Sequence, residues 1–203
     1  MIAKFRKMIL ELTALGTVYL SWLLFRPVPQ ASLFQDSSLM TEDDLYFFWL
    51  LSVKAYCAPE NYSTMPFRNH VSAASFESSI YWAEWDISGY VATTTDSVTV
   101  VFRGTSDENW DLNMMSYKVK FDGCKFCRVH EGISLAVENT YDQVKAAVAQ
   151  HTDKTIYVTG WSLGGTLATH TAAKLVEDGF NPTVISFGAY RVGNLFYARH
   201  YQT

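Results

Sequence analysis

Residues 155–175 constrain the fold of this 203-residue chain more than any other stretch. A β-branched, apolar run meets the sequence GWSLG at residues 160–164, and a helical pattern follows at once. The pattern G-x-S-x-G between a strand and a helix is typical of a sharp turn that lifts the serine hydroxyl clear of the backbone. The positive end of the following helix also points at that hydroxyl. We therefore predict that Ser162 is a nucleophile; the alternative is an ordinary glycine-rich turn between a strand and a helix.

The overall composition is that of a globular protein. Hydrophobic residues make up 49% of the chain, which suits one domain with a real core. The net charge is −4 and no long basic run occurs, so we expect no nucleic-acid partner. The oligomeric state cannot be read from the sequence.

The N-terminus has the pattern of a targeting segment. Basic residues at positions 4–7 precede an uncharged, mostly apolar run at 12–25, which is short for a membrane span and suits a signal peptide. Because Pro29 would lie two residues before a cleavage after Ala31, an uncleaved signal anchor is the alternative. In both cases we expect a secreted or membrane-anchored protein. The predicted organisation is residues 1–31 as signal peptide or anchor, 32–40 as a polar linker, and 41–203 as the folded domain.

The chain has three cysteines. Cys124 and Cys127 could close a small local disulfide in an oxidising compartment. A zinc or redox site is a weak interpretation of this pair, because no second ligand pair accompanies it. Cys57 is then left over as a free thiol, an intermolecular bond, or one half of a bond whose partner is missing.

The remaining pattern predicts an α/β fold. Thr41 begins a capping box before an apolar helix that runs through Tyr56. The later order of helix, strand, helix and strand indicates a mainly parallel sheet with helices on its faces and its functional loops at one edge. The other predicted elements are a hairpin of residues 80–86 and 89–94 turning at Ser88-Gly89, a buried strand at 97–103, a helix from about 131 to 150, a helix capped by Gly179, and a strand at 183–187.

A serine nucleophile also needs donors for a developing oxyanion. Gly104 and Thr105 directly follow the buried strand at 97–103. The backbone N–H and hydroxyl of Thr105 could face that oxyanion, and the N–H of Leu163 beside the nucleophile could supply the other donor. We therefore predict Thr105 and Leu163 as the oxyanion hole.

Five segments together resemble the class 3, or fungal-type, lipases. They are VVFRGT at 100–105, Asn109-Trp110, VHEG at 129–132, VTGWSLGG at 158–165 and SFGAYRVGN at 186–194. The resemblance implies an α/β-hydrolase-like fold with Ser162 as nucleophile and Thr105 and Leu163 as oxyanion donors. It also implies lipid-ester substrates met at a lipid–water interface and chemistry that needs no metal or organic cofactor.

The resemblance further implies a lid just after Thr105. Residues 106–116 read SDENWDLNMMS, in which Asp107 and Glu108 suit a helix N-terminus. Trp110 and Met114 lie four residues apart and would share one helix face. The alternative is a surface helix whose tryptophan packs on the core.

The chain departs from the family pattern at three places. Trp161 stands where members usually carry His, and Ala189-Tyr190 replaces the usual Gln-Pro. The third departure is that family triads place Asp and then His after strands that lie beyond the RVGN segment, and the chain stops at Thr203, too early for either. The cysteine that usually bonds the position of Cys57 near the C-terminus is not found either. We therefore expect that the chain is a C-terminally truncated lipase.

Internal residues offer few substitutes for the missing triad members. His170 lies eight residues along the helix from Ser162, at about 12 Å, which is out of reach. Asp178 lies at the wrong end of the same helix, so His200 is the geometrically open option. His130 is interpreted as structural, and His70 and His151 as loop residues.

Two functions remain in competition. The first is a serine esterase or lipase that works through an acyl-enzyme on Ser162. The second is a catalytically inactive lipase-like lipid-binding protein, or a non-functional fragment that lacks the triad Asp and His. The ester preference within the lipid class cannot be read from the sequence.

Overall fold

The computed structural model describes residues 40–57, 61–62, 67–68 and 73–201. The predicted signal segment, nearly all of the linker and His70 lie outside these residues. Helices in the described part are α1 Glu42–Lys54, α2 Trp110–Met114, α3 Glu131–Val148, α4 Leu163–Glu177 and α5 Leu195–His200. Strands are β1 Phe67–Arg68, β2 Ala73–Trp82, β3 Ile87–Thr93, β4 Ser97–Phe102, β5 Lys118–Lys120, β6 Arg128–His130, β7 Thr155–Trp161 and β8 Pro182–Phe187.

Six of these strands form one sheet in the order β1-β2-β3-β4-β7-β8. Strands β4, β7 and β8 pair in parallel, whereas β1 to β4 pair antiparallel. Because β2 is antiparallel to β3 and β3 to β4, the strands β2, β4, β7 and β8 all run in one direction. The sheet is therefore mainly parallel in direction, as predicted, with an antiparallel margin at its N-terminal side.

Alternate residues of the central strands pack on opposite faces of this sheet. Val100 belongs to a core cluster that includes residues of α3 and α4, and its neighbour Val101 belongs to a second cluster with α1. The period of two in a strand produces this division. Helices therefore cover both faces, and the buried strand at the centre has no solvent-exposed face.

Helix α1 begins as the sequence predicts. The Thr41 hydroxyl accepts a hydrogen bond from the Asp44 N–H at 3.2 Å, and the Asp44 carboxylate accepts one from the Thr41 N–H at 2.9 Å. Phe47, Phe48 and Leu51 are buried against the sheet. The capping box thus fixes the entry of a helix whose apolar face anchors it.

The predicted hairpin is present, but the predicted position of its turn, at Ser88-Gly89, was wrong. The connection between β2 and β3 is a single 3-10 turn at Ala83–Trp85 followed by Asp86, whose φ is 46°. Gly89 lies inside β3, opposite Phe102, where a Cβ would overlap the Val101 carbonyl. The glycine therefore serves close strand packing, and the left-handed turn residue is an aspartate.

A second, two-stranded sheet was not predicted. Strands β5 and β6 pair antiparallel, and the loop between them carries the disulfide Cys124–Cys127, which confirms the predicted bond. Cys57 is a free cysteine in the described part of the chain. No helix among the described residues is long and apolar enough to cross a membrane.

Candidate active site

Ser162 lies at a sharp turn between β7 and α4. Its backbone has φ 54° and ψ −119°, a conformation that residues other than glycine rarely adopt. The Ser162 N–H donates to the Phe187 carbonyl at 2.8 Å, and α4 begins at the next residue. Ser162 itself is only half-buried. The turn therefore presents a solvent-accessible serine at the N-terminus of a helix.

The glycines on either side permit this turn because backbones pass very close to them. A Cβ on Gly160 would lie 2.6 Å from the Gly164 oxygen and 2.7 Å from the Phe102 oxygen. A Cβ on Gly164 would lie 2.8 Å from the Arg103 oxygen. Side chains at these positions would separate the serine turn from the end of β4.

The loops after three parallel strands meet at one edge of the sheet. Phe102 pairs with Gly160, and Trp161 pairs with Phe187, so β4, β7 and β8 end side by side. A Cβ on Gly104 would lie 2.8 Å from the Trp161 carbonyl oxygen. The segment that carries Thr105 is therefore held directly against the turn that carries Ser162.

A polar cluster fixes the loop that contains Thr105. The Arg103 guanidinium pairs with the Asp86 carboxylate and also donates to the Asp86 carbonyl at 2.6 Å. The Ser106 hydroxyl donates to the same carboxylate at 3.0 Å, and the Ser106 N–H donates to the Asn109 side chain at 2.9 Å. Asp86, the turn residue before β3, thus organises the chain on both sides of Thr105.

A hydrogen-bond chain links Thr105 to the loop after β8. The Asn113 amide nitrogen donates to the Thr105 hydroxyl oxygen at 3.0 Å, and the Tyr190 hydroxyl donates to the Asn113 amide oxygen at 2.9 Å. The Tyr190 N–H donates to the Thr166 hydroxyl at 3.1 Å, and that hydroxyl donates to the Ser162 carbonyl at 3.2 Å. Sequence reasoning missed both Asn113 and Tyr190; the unusual Ala189-Tyr190 pair was the one available signal.

Tyr190 keeps its hydroxyl proton in this buried position. Burial raises the pKa of Tyr190 well above its usual value, so its hydroxyl remains a donor. In this arrangement the Asn113 amide presents its oxygen to Tyr190 and its nitrogen to Thr105. Because the Thr105 oxygen accepts, the hydroxyl hydrogen of Thr105 stays available for another acceptor.

His130 is structural, as the sequence indicated. Its Nδ1 accepts from the Ile133 N–H at 3.4 Å, where it caps α3, and its Nε2 lies 3.2 Å from the Asn113 carbonyl oxygen. Burial lowers the pKa of His130, which favours the neutral ring with the proton on Nε2. The histidine therefore ties α2 to the start of α3.

The other described histidines are engaged away from Ser162. His170 Nδ1 lies 2.9 Å from the Tyr197 hydroxyl, and burial lowers the pKa of His170 to about 3. His200 Nε2 lies 3.1 Å from Glu177, the last residue of α4, whereas Ser162 caps the first turn. At about 1.5 Å per residue, these ends are roughly 22 Å apart, so His200 lies out of reach of Ser162. His151 pairs with Glu77 at 2.6 Å.

Helix α2 occupies the position of the expected lid. Leu112 is buried, whereas Trp110 and Met114 face solvent, and the Trp110 side chain is 59% exposed. The helix starts at Trp110, so Asp107 and Glu108 precede it. The alternative that Trp110 packs on the core is therefore wrong.

Two further aromatic side chains border the site. The rings of Tyr56 and Trp161 lie 6.1 Å apart, and both are exposed. The Tyr56 hydroxyl lies over Gly104, where a Cβ would overlap it. Among the described residues, no cluster of His, Cys, Asp and Glu side chains could hold a metal ion.

Comparison with solved structures identifies the fold. The crystal structure of mono- and diacylglycerol lipase from Aspergillus oryzae superposes with a TM-score of 0.68 at 24% identity, over 81% of this chain and 69% of that one. The fold is therefore that of the α/β-hydrolase lipases, as predicted.

Two named relatives share higher identity. Secreted mono- and diacylglycerol lipase 1 of Fusarium solani is 38% identical over 128 residues, which cover 59% of this chain and 38% of that protein. Lipase ZK262.3 of Caenorhabditis elegans is 33% identical over 123 residues, which cover 56% of this chain and 35% of that protein. The chain thus matches little more than a third of the length of these relatives.

The family profile described as "Lipase (class 3)" matches residues 99–203, from inside β4 onward. This match covers more than half of the chain and includes Thr105, the Ser162 turn and the loop after β8. The chain therefore belongs to the class 3 lipase family.

Proposed function

We propose that the protein hydrolyses lipid esters through an acyl-enzyme on Ser162. The observation that carries the proposal is the positive φ of Ser162, which holds its hydroxyl at the sheet edge beside the Thr105 loop. The hydroxyl oxygen attacks the ester carbonyl, and a base takes its proton and returns it to the departing alcohol. Water then attacks the acyl-enzyme and releases the fatty acid.

The tetrahedral intermediate needs donors that are already in place. Leu163 occupies the first helical position of α4, where a backbone N–H has no acceptor within the helix. The Thr105 N–H and hydroxyl are the other candidates, and Asn113 leaves the hydroxyl hydrogen of Thr105 available. Thr105 and Leu163 therefore form the proposed oxyanion hole.

Lipid esters are the substrate class that the surroundings favour. Trp110 and Met114 on α2 are exposed, as are Tyr56 and Trp161 beside Gly104, and we propose that these side chains form an apolar approach to Ser162. The Fusarium relative is named a mono- and diacylglycerol lipase. We propose acylglycerols as substrates, with α2 as a lid that moves when it meets a lipid–water interface.

The proposed site of action is outside the cell or at its membrane. The N-terminal pattern of residues 1–31 is that of a signal peptide or anchor, followed by a linker at 32–40 and the domain from residue 41. The Cys124–Cys127 disulfide suits an oxidising compartment, and the Fusarium relative is named as secreted.

The experiment is a hydrolysis assay on the protein expressed from its full coding sequence. Soluble short-chain p-nitrophenyl esters and monoacylglycerol emulsions are the substrates. The Ser162→Ala variant should lose turnover by about 10⁴-fold or more, whereas Ser79→Ala, at an exposed serine of β2, should match wild type. Emulsion binding without any Ser162-dependent turnover would instead support the inactive lipid-binding alternative.

A further inference from the structure

The loop at the end of the β5–β6 hairpin exposes an aromatic side chain. Phe126 lies between Cys124 and Cys127 and is 64% exposed. Its backbone φ is 73°, in the left-handed region that disfavours a bulky residue. A strained backbone and a large apolar side chain in water are both unfavourable. Phe126 therefore carries two local energetic costs in its exposed position.

Several bonds hold this loop in place. The Cys124–Cys127 disulfide closes it, and the Cys127 N–H donates to the Cys124 carbonyl at 3.3 Å. The Asn194 amide donates to the Phe126 carbonyl at 2.9 Å, which ties the loop to the residue before α5. These bonds therefore fix the loop that carries the exposed Phe126 side chain.

A second element extends the apolar surface. Phe196 on α5 is 50% exposed, and its ring centroid lies 5.6 Å from that of Phe126. Leu195, beside it, is also exposed. We define the hairpin tip as these three residues together with the cations named next.

Exposed cations lie on the same hairpin as Phe126, and the Lys125 ammonium lies 5.3 Å from the centroid of the Phe126 ring. Lys120 pairs with Arg128 and Lys118 with His130, so Lys118, Lys120 and Arg128 lie on one face of the hairpin, while Val119 packs on the core. Like charges directly opposite each other in a hairpin are destabilising, as Lys120 and Arg128 are here. The cations of the hairpin tip are Lys118, Lys120, Lys125, Arg128 and Arg199.

Acidic groups near this surface are few. Asp122 pairs with Lys120 at 2.8 Å, and Glu177 lies against Gly123 and pairs with His200. The hairpin tip is therefore basic, on a chain whose net charge is −4. This asymmetry favours an anionic partner.

We propose that the hairpin tip docks on an anionic lipid surface. Phe126 and Phe196 enter the headgroup region, and the surrounding ammonium and guanidinium groups contact lipid phosphates and carboxylates. Exposed phenyl rings without a polar atom suit an acyl-chain boundary better than a hydrogen-bonding protein partner. The docking is separate from hydrolysis and needs neither Ser162 nor Thr105.

The test is vesicle co-sedimentation in the Ser162→Ala background, so that hydrolysis does not change the vesicles and a failed hydrolase proposal does not affect the readout. Phosphatidylcholine vesicles are compared with vesicles that contain about a third phosphatidylserine, at low and high salt. We expect binding to the phosphatidylserine vesicles, weakened by salt, and at least tenfold weaker binding to phosphatidylcholine alone.

Three variants make the test specific. Lys125→Glu should weaken binding to phosphatidylserine vesicles by about tenfold or more, because each cation near such a surface contributes roughly fivefold. Phe126→Gly should weaken it similarly while it relieves the backbone strain at this position, and circular dichroism checks that the variant is folded. The control is Tyr81→Ser on β2, a ring that is 47% exposed, and it should bind as wild type.

Contrary results are equally clear. Equal binding to both vesicle types, or no binding to either, would overturn the proposal. So would a Phe126→Gly variant that binds as well as Tyr81→Ser. Capture of soluble acidic proteins without any vesicle binding would identify a protein partner and overturn the lipid assignment.

Discussion

At the scale of single residues, the site depends on backbone approach distances that only glycine allows. Gly160 and Gly164 lie where β4, β7 and the first turn of α4 come together, and a Cβ at either would overlap carbonyl groups. This explains why the G-x-S-x-G pattern carries so much information: both glycines are required by packing as well as by the turn.

We predict that Gly160→Ala lowers the free energy of unfolding by about 1–3 kcal/mol, because the added methyl forces the end of β4 away from α4. Gly179→Ala is the matched control. Its Cβ would meet open space, and its φ of 87° should cost about 1 kcal/mol. Urea denaturation of both variants measures the difference; a smaller loss at Gly160 than at Gly179 would contradict the close packing.

Tyr190 is predicted to act on Thr105 through Asn113. Tyr190→Phe removes the donor that fixes the Asn113 amide, so the Thr105 hydroxyl loses its defined orientation. The expected result is a fall in kcat of about tenfold, below the 10²–10³ for a deleted oxyanion donor, with little change in KM.

The comparison variant for this prediction is Asn113→Asp. A carboxylate would accept the Thr105 hydroxyl hydrogen and should lower kcat further. Steady-state kinetics on a soluble short-chain ester provide both constants, and circular dichroism checks the fold. Unchanged kcat in both variants would show that the hydrogen-bond chain does not position Thr105.

The sequence predicted the residues that belong to contiguous motifs and missed those that do not. Ser162, Leu163 and Thr105 follow strands in recognisable patterns. Asn113 and Tyr190 are 77 positions apart and meet only because the loops after β4 and β8 share one edge. No local sequence pattern indicates that these two residues are in contact.

At the scale of elements, α1 is anchored by a few buried side chains. Leu51 packs in the cluster with Tyr90 and Val101, whereas Val53 on the same helix is exposed. We predict that Leu51→Ala lowers the free energy of unfolding by about 2–5 kcal/mol, and that the control Val53→Ala changes it by less than about 1 kcal/mol. Denaturant unfolding measures both, and equal effects would mean that α1 does not pack as described.

The buried His170 in α4 makes stability depend on pH. Burial, and then the Lys174 charge, lower its pKa to about 3, below the usual 6.5. Between about pH 3 and 6.5 the unfolded chain binds a proton at this histidine and the folded chain does not. The free energy of unfolding is therefore highest above about pH 6.5 and falls as the pH approaches 3. The expected slope from this group is about 1.4 kcal/mol per pH unit within that window.

We predict that His170→Gln removes this contribution. The free energy of unfolding, measured in urea between about pH 6.5 and 4.5, should fall less steeply in the variant than in wild type. The control Val53→Ala removes no titrating group and should keep the wild-type slope. An identical slope in His170→Gln would contradict the burial of a neutral ring.

Long elements were predictable and short ones were not. The capping box of α1, the helices α3 and α4, and the strands β4, β7 and β8 have strong signals. Strands β5 and β6 are three residues each, too short for a periodicity to appear. The turn before β3 was misplaced because the pair Ser88-Gly89 is typical of a turn. In the structure Gly89 lies inside β3, where it allows close packing against β4.

At the scale of the whole molecule, the order of elements determined the fold class. When buried strands alternate with helices along the chain, the strands pair into one sheet and the helices cover both faces of that sheet. The family profile then accounts for residues 99–203, and the chain matches just over a third of its two named relatives.

Covalent labelling tests whether Ser162 is an exposed nucleophile. A fluorophosphonate probe is added to the protein expressed from its full coding sequence, and the modified peptide is identified by mass spectrometry. We predict one phosphonylated residue, Ser162, and no labelling after denaturation or in Ser162→Ala. Labelling at another residue, or equal labelling of the Ser162→Ala variant, would contradict it.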